Sequence, residues 1–191
     1  MTAKETTMFE HSICNFAAMQ RWLIVPSLAG QSLGDHCHAV AIYADQLAEH
    51  FQWQGDRAAL LRYALWHDAD ELLTGDIPGP IKRRVIDRVK YDEILGHWMK
   101  RAFPGNEWVK PEDHIILAIV KLADIVDAYI WATVKCAPHD LTHQIWGRLM
   151  KALYALPFSE PAKWRVITTL RTASMNGVHG RIKFLADMEP G

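Results

Sequence analysis

The chain carries a His67-Asp68 doublet inside the stretch Leu60-Leu61-Arg62-Tyr63-Ala64-Leu65-Trp66-His67-Asp68-Ala69-Asp70-Glu71-Leu72. Helical steps back from His67 reach Tyr63 and Leu60, the apolar side of the pattern, so the imidazole and its neighbouring carboxylates point towards a core. A buried charge without a partner is costly, and a divalent metal ion satisfies imidazole nitrogen and carboxylate oxygen together. Two other stretches offer matching donors. His36 begins an apolar face that continues through Val40, Tyr43, Ala44, Leu47 and Phe51. Further on, steps of four from Ile116 give Val120 and Asp124, and Val120, Ala123, Asp124 and Asp127 straddle a buried face. His36, His67, Asp68 and Asp124 thus make a four-ligand set from three helices. It suits zinc, manganese or cobalt, with magnesium also admissible, and leaves open positions for water and a substrate oxygen.

The plain alternative is a core histidine with an ordinary hydrogen bond and an inward aspartate paired with a lysine or arginine. Three helices each aiming an ionisable group inward weigh against it. A di-iron carboxylate bundle is a further alternative, but its signature is missing, since no glutamate in the chain has histidine three residues later.

Around this set stand residues that could serve a reaction. Glu71 lies four residues beyond His67, which on a continuous helix puts it one turn from the metal. Asp76 follows in a loop held by Gly75 and Pro78. Two carboxylates there could orient a water, accept its proton or protonate a leaving oxygen. Glu71 could equally be an exposed helix glutamate. Arg21-Trp22 offers a guanidinium fork for phosphate and a flat wall for a sugar or base. Lys82 could contact phosphate, or Lys82-Arg83-Arg84 could be a solvated helix start. Cys37 and His38, beside His36, point off its helical face.

The elements that carry these residues are helical nearly throughout, with no strand alternation and no internal repeat. The periodicity predicts a helix from about Asp35 to Trp53, broken by Gly55-Asp56, which caps the next helix. That helix bears His67-Asp68 and runs down at Thr74-Gly75. Asp76-Ile77-Pro78-Gly79-Pro80 reads as a loop. A polar helix from Ile81 to about Ala102 follows, closed by Pro104-Gly105-Asn106. Pro111-Glu112-Asp113 starts a long helix to about Cys136, and two more span roughly Leu141 to Ala155 and Pro161 to Met175. The expectation is all-α, one compact domain over residues 1–191, with the motifs in about 15–135 and C-terminal helices in about 140–188.

Composition narrows the classes. At 191 residues the chain can bury a sizeable core without staples. A formal net charge of -1 gives no electrostatic reason to expect a nucleic-acid polymer as partner. Cys14, Cys37 and Cys136 form no Cys-x-x-Cys pair, which fits a reducing compartment. The segment Met1-Thr2-Ala3-Lys4-Glu5 lacks a signal peptide's apolar run, and the run Ile115 to Val120 stops at Lys121. A cytoplasmic protein with no membrane partner is expected, in the host cytoplasm if the chain is viral.

The order His36, His67-Asp68, Asp124 resembles the HD-domain metal-dependent phosphohydrolases, an all-α superfamily. More narrowly, the chain is similar to the bacterial 5'-deoxynucleotidases. The similarity rests on Arg21-Trp22, Asp35-His36, the run His67-Asp68-Ala69-Asp70-Glu71-Leu72-Leu73-Thr74-Gly75-Asp76-Ile77-Pro78, Pro80-Ile81-Lys82, and Val120-Lys121-Leu122-Ala123-Asp124. The resemblance implies metal binding by His36, His67, Asp68 and Asp124, and catalysis with water or sugar placement by Glu71 and Asp76. It implies phosphate and deoxyribose contacts for Arg21 and Trp22. The family usually has Ser-Glu-His where this chain has Gly34-Asp35-His36. Phage dATP triphosphohydrolases share the compact fold and metal set. The expected reaction is therefore hydrolysis of a deoxyribonucleoside monophosphate to deoxynucleoside and phosphate. The alternatives are a dATP-type triphosphohydrolase releasing tripolyphosphate, and a non-catalytic nucleotide-binding module with a structural metal. The presence of Glu71 and Asp76 speaks against the last. The resemblance and the tryptophan-rich late helices also imply a homodimer or higher homo-oligomer.

Overall fold

The computed structural model describes residues 13–26, 29–102, 111–135 and 137–175. The expected stop at Pro104-Gly105-Asn106, Cys136 and the tail towards residue 188 lie outside them. A short helix α1 (Ile13–Ala18) leads into β1 (Gln20–Arg21), which pairs antiparallel with β2 (Gln31–Ser32). The helices α2 (Leu33–His50), α3 (Arg57–Trp66), α4 (Glu71–Thr74), α5 (Gly79–Arg84) and α6 (Arg88–Ala102) follow. Then come α7 (His114–Val134), α8 (His139–Ala155) and α9 (Glu160–Met175). The architecture is all-α, as expected, apart from the two-residue ladder that the sequence pattern did not show.

Helix starts follow their caps. Ser32 accepts from the Asp35 N–H and donates its hydroxyl to Asp35 Oδ2, opening α2 earlier than the apolar pattern indicated. Asp56 caps α3 and Asp113 caps α7, each accepting a backbone N–H of the first turn. The single helix expected over Ile81–Ala102 is two. Asp87 accepts from the N–H groups of Val89 and Lys90, which starts α6 anew. Pro80, expected in a loop, sits in the first turn of α5, where its missing N–H is not needed.

The core lies between α2, α3, α7 and α8. Val40, Tyr43 and Leu47 of α2 meet Leu60 of α3, Ile119, Leu122 and Val126 of α7, and Ile145 and Leu149 of α8. Each such fully buried aliphatic side chain contributes about 1.5–3 kcal/mol. Packing on this scale holds α2, α3 and α7 in fixed register; α2 and α7 carry His36 and Asp124, and α3 ends directly before His67-Asp68. Among the described residues, no helix is long and apolar enough to cross a membrane.

Candidate active site

α3 ends at Trp66, so His67 and Asp68 stand on the turn that follows the helix. His67 Nδ1 donates to the Ala64 carbonyl at 2.8 Å, which orients the ring and leaves Nε2 facing inward. The bonds Ala69 N–H to Trp66 O and Glu71 N–H to Asp68 O, three residues apart, carry the chain through a tight turn into α4. Glu71 is therefore not on one helix face with His67, as its spacing implied. It opens a new short helix whose first turn is aimed back at Asp68.

The four expected ligands converge. Among the described residues, one ligand atom each from His36, His67, Asp68 and Asp124 lies within 4.8 Å of the others. Asp68 Oδ2 is 3.4 Å from Nε2 of both histidines, and Asp124 Oδ1 is 3.5 Å from His36 Nε2. Both Nε2 atoms are buried and have no hydrogen-bond partner among the described residues. Two orphaned imidazole nitrogens facing two carboxylates leave unmade bonds that a divalent cation would complete, so the donor set fits a metal ion.

Charge is concentrated here. Burial works against ionising Asp68, yet His67, His36 and Arg21 outweigh it and hold the carboxyl well below its ordinary range. Burial likewise opposes Asp124, but Lys121 and the two histidines bring it down to about 2. Burial and Arg21 push against protonation of His36, while Asp127 and Asp68 raise it to about 9. Glu71 behaves oppositely. It is 6 % exposed, its Oε2 lacks a partner among the described residues, and burial with Asp68 lifts its pKa to about 8. The exposed-glutamate alternative does not hold.

The other expected residues surround this cluster unequally. Arg21 is buried and pairs with Asp68 at 2.9 Å; burial opposes its charge, and Asp68 and Glu71 restore it. Asp76 accepts the Trp22 backbone N–H at 2.9 Å. Its place depends on Gly75, whose φ of 72° and ψ of 169° belong to a region open almost only to glycine. The Trp22 ring stacks on Trp131, centroids 4.7 Å apart and 7° from parallel, and Nε1 donates to Gln31 Oε1. Lys82 Nζ lies 3.5 Å from Asp70 Oδ2 and above the Tyr91 ring. Cys37, expected to point off the apolar face, is buried, because α2 is covered on more than one side; His38 is exposed.

The sequence assigned no role to two further residues, although it placed Asp127 on a buried face. Asp127, fully buried, accepts from His36 Nδ1 at 2.8 Å and from Gln31 Nε2 at 2.7 Å. A buried aspartate one turn beyond Asp124, on an apolar helix, was the available signal. Gln31 had none, since its role comes from the ladder that pairs it with Arg21.

Residues 8–94 match the family described as YfbR-like 5'-deoxynucleotidase. A 5'-deoxynucleotidase of Vibrio cholerae is 30% identical over 151 residues, covering 66% of this chain and 73% of the relative. The chain belongs to the YfbR-like 5'-deoxynucleotidase family. It is a hydrolase acting on phosphoester bonds. A dATP triphosphohydrolase of Salmonella phage PMBT28 is equally 30% identical, over 150 residues and 74% of each chain. In fold, this YfbR-like chain is similar to the cyanophage S-2L HD phosphohydrolase DatZ, solved with dA and one catalytic zinc ion. The TM-score is 0.66 at 19% identity, covering 85% of this chain and 94% of that one. The two chains thus share a helical fold.

Proposed function

We propose that the chain is a metal-dependent phosphohydrolase of deoxyribonucleotides, hydrolysing a deoxyribonucleoside monophosphate to deoxynucleoside and phosphate. The observation that carries this is the pair of Nε2 atoms that face Asp68 and Asp124 without a hydrogen-bond partner among the described residues, together with a buried Glu71 whose Oε2 likewise lacks one. His36, His67, Asp68 and Asp124 would hold the ion. A divalent ion there supplies Lewis-acid activation of water and polarises a phosphoryl oxygen. Zinc, which DatZ binds, leads manganese, cobalt and magnesium as the ion to test.

The chain's own residues do the rest. Glu71, its pKa raised to about 8 by burial and Asp68, can take a proton from the attacking water and return one to the leaving sugar oxygen. Arg21, kept charged in a buried setting, presents its remaining N–H donors to phosphate oxygens beside the ligands. Lys82 adds a cation on the Asp70 side. Trp22 forms a wall for the deoxyribose, and Asp76 fixes that wall through the Trp22 backbone. A module with a purely structural metal would gain nothing from a buried glutamate with an unsatisfied Oε2, whose burial is costly. We also take the chain to act as one domain over 1–191 and as a homodimer, which sedimentation equilibrium tests.

The match to the phage dATP triphosphohydrolase covers more of this chain than the match to the Vibrio enzyme, and it supports a second reading, release of tripolyphosphate from dATP. Metal-stripped protein reloaded separately with zinc, manganese, cobalt or magnesium is incubated with dAMP and with dATP, and the inorganic products are separated. Orthophosphate from dAMP is the expected result. Intact tripolyphosphate from dATP replaces it with the second reading, and no hydrolysis of either with any of the four metals overturns both.

A further inference from the structure

Trp22, Gln31, Asp127 and His36 form a hydrogen-bonded chain whose direction is settled by its ends. An indole N–H only donates, so Gln31 meets Trp22 Nε1 with Oε1 at 3.0 Å and turns its amide nitrogen to Asp127 Oδ2. A carboxylate only accepts, so His36 Nδ1, 2.8 Å from the same Oδ2, is the donor. In the neutral ring this leaves the lone pair on Nε2, the atom that faces Asp68 and Asp124. The chain's far end is a strained residue. Trp22 has a φ of 65°, unusual for a bulky side chain, and persists there because its N–H is held by Asp76, its Nε1 by Gln31 and its ring by Trp131. Trp131 lies one turn beyond Asp127 on α7, so one helix face anchors both the ring and the chain.

We infer that Asp127 is a positioning residue with two outputs: it fixes the His36 tautomer that presents Nε2 to the metal, and through Gln31 it sets the Trp22 wall. Metal affinity and nucleotide placement then share one buried anchor. The inference rests on the metal and wall roles assigned above, and its test separates the two outputs. Asp127→Asn keeps the shape and removes the charge; Gln31→Met keeps the length and removes the bonds to Trp22 and Asp127 while leaving the Asp127–His36 bond in place.

Zinc affinity of the metal-stripped proteins is measured by calorimetry, and the His36 Nδ1–H resonance is followed by NMR in metal-free and zinc-loaded protein. Asp127→Asn is expected to weaken zinc binding about 10–100-fold and to move that resonance upfield. Gln31→Met is expected to leave both in place. It should raise KM for dAMP, or for dATP if that is what turns over, by about 2–10-fold with kcat retained, the scale of one hydrogen bond. Unchanged zinc affinity in Asp127→Asn, or a His36 Nδ1 without a proton in the wild type, overturns the inference. An equal loss of zinc affinity in Gln31→Met also overturns it, by showing a diffuse structural role. A wild type that takes up no zinc ends the metal reading alone, because the Nδ1–H comparison on metal-free protein, made at a pH where the ring is neutral, still decides this one. If Asp127→Asn fails to fold, the wild-type resonance and Gln31→Met decide it.

Discussion

Replacing Glu71 by glutamine isolates the group whose protonation the site most strongly distorts. Burial, then Asp68, Asp76 and Asp70, raise its pKa from 4.5 to about 8 against the opposing pull of Arg21. A unit of displacement corresponds to about 1.4 kcal/mol, so ionising Glu71 in the folded, metal-free protein costs about 5 kcal/mol more than in the unfolded chain. Between pH 4.5 and about 8 the folded state keeps a proton that the unfolded state has released. Stability from this group is therefore complete below 4.5 and is lost as pH rises towards 8. Glutamine stays neutral throughout. The stability of Glu71→Gln relative to wild type should climb from near its pH 4 value by up to about 5 kcal/mol at pH 9. Guanidinium unfolding of the metal-stripped proteins across that range measures it, and other titrating groups largely cancel in the difference. Loading with zinc should shrink the gap, because a nearby cation favours the ionised carboxyl. Turnover of the variant should fall by about 10²–10⁴-fold with metal content unchanged. A stability gap of equal size at pH 5 and pH 9 would refute the reasoning, and metal loss in step with activity would make Glu71 a ligand or a support instead.

Asp68→Ala removes a carboxylate that faces both histidines and pairs with Arg21, so bound metal by elemental analysis and turnover should both vanish. Full activity in the metal-free variant would end the metal reading. Gly75→Ala meets no atom within 4 Å, so its cost is backbone conformation alone, about 1–3 kcal/mol in thermal or denaturant unfolding. It should also lower kcat/KM by shifting Asp76 from the Trp22 N–H, and a variant as stable and as active as wild type contradicts that. Trp22→Ala should reduce discrimination against a 2'-hydroxyl, which against an apolar wall is worth about 1–3 kcal/mol or roughly ten- to hundredfold in kcat/KM. Equal kcat/KM of the wild type for AMP and dAMP, or for ATP and dATP, would remove this role.

The four converging donors were legible in the chain because His36 and Asp124 lie on periodic apolar faces and His67-Asp68 directly follow one, and a buried imidazole or carboxylate demands a partner wherever it falls. The helical class was legible for the same reason: a 3.6-residue period is a local property. Helix ends were less so. The break after Trp66 and the restart at Asp87 depend on single side chains, His67 and Asp87, that take backbone groups. The roles of Gln31 and the Trp22 backbone were not legible, and for Asp127 only its burial was, not its partners. Gln31 and Asp127 stand 96 residues apart, and His36 and Asp127 stand 91 apart. Such partners are chosen by how α2 and α7 pack and by a two-residue ladder too short to leave a pattern. Periodicity along a chain reports which side of an element is buried. Which polar groups meet there is set by the register between elements, and that is an outcome of packing.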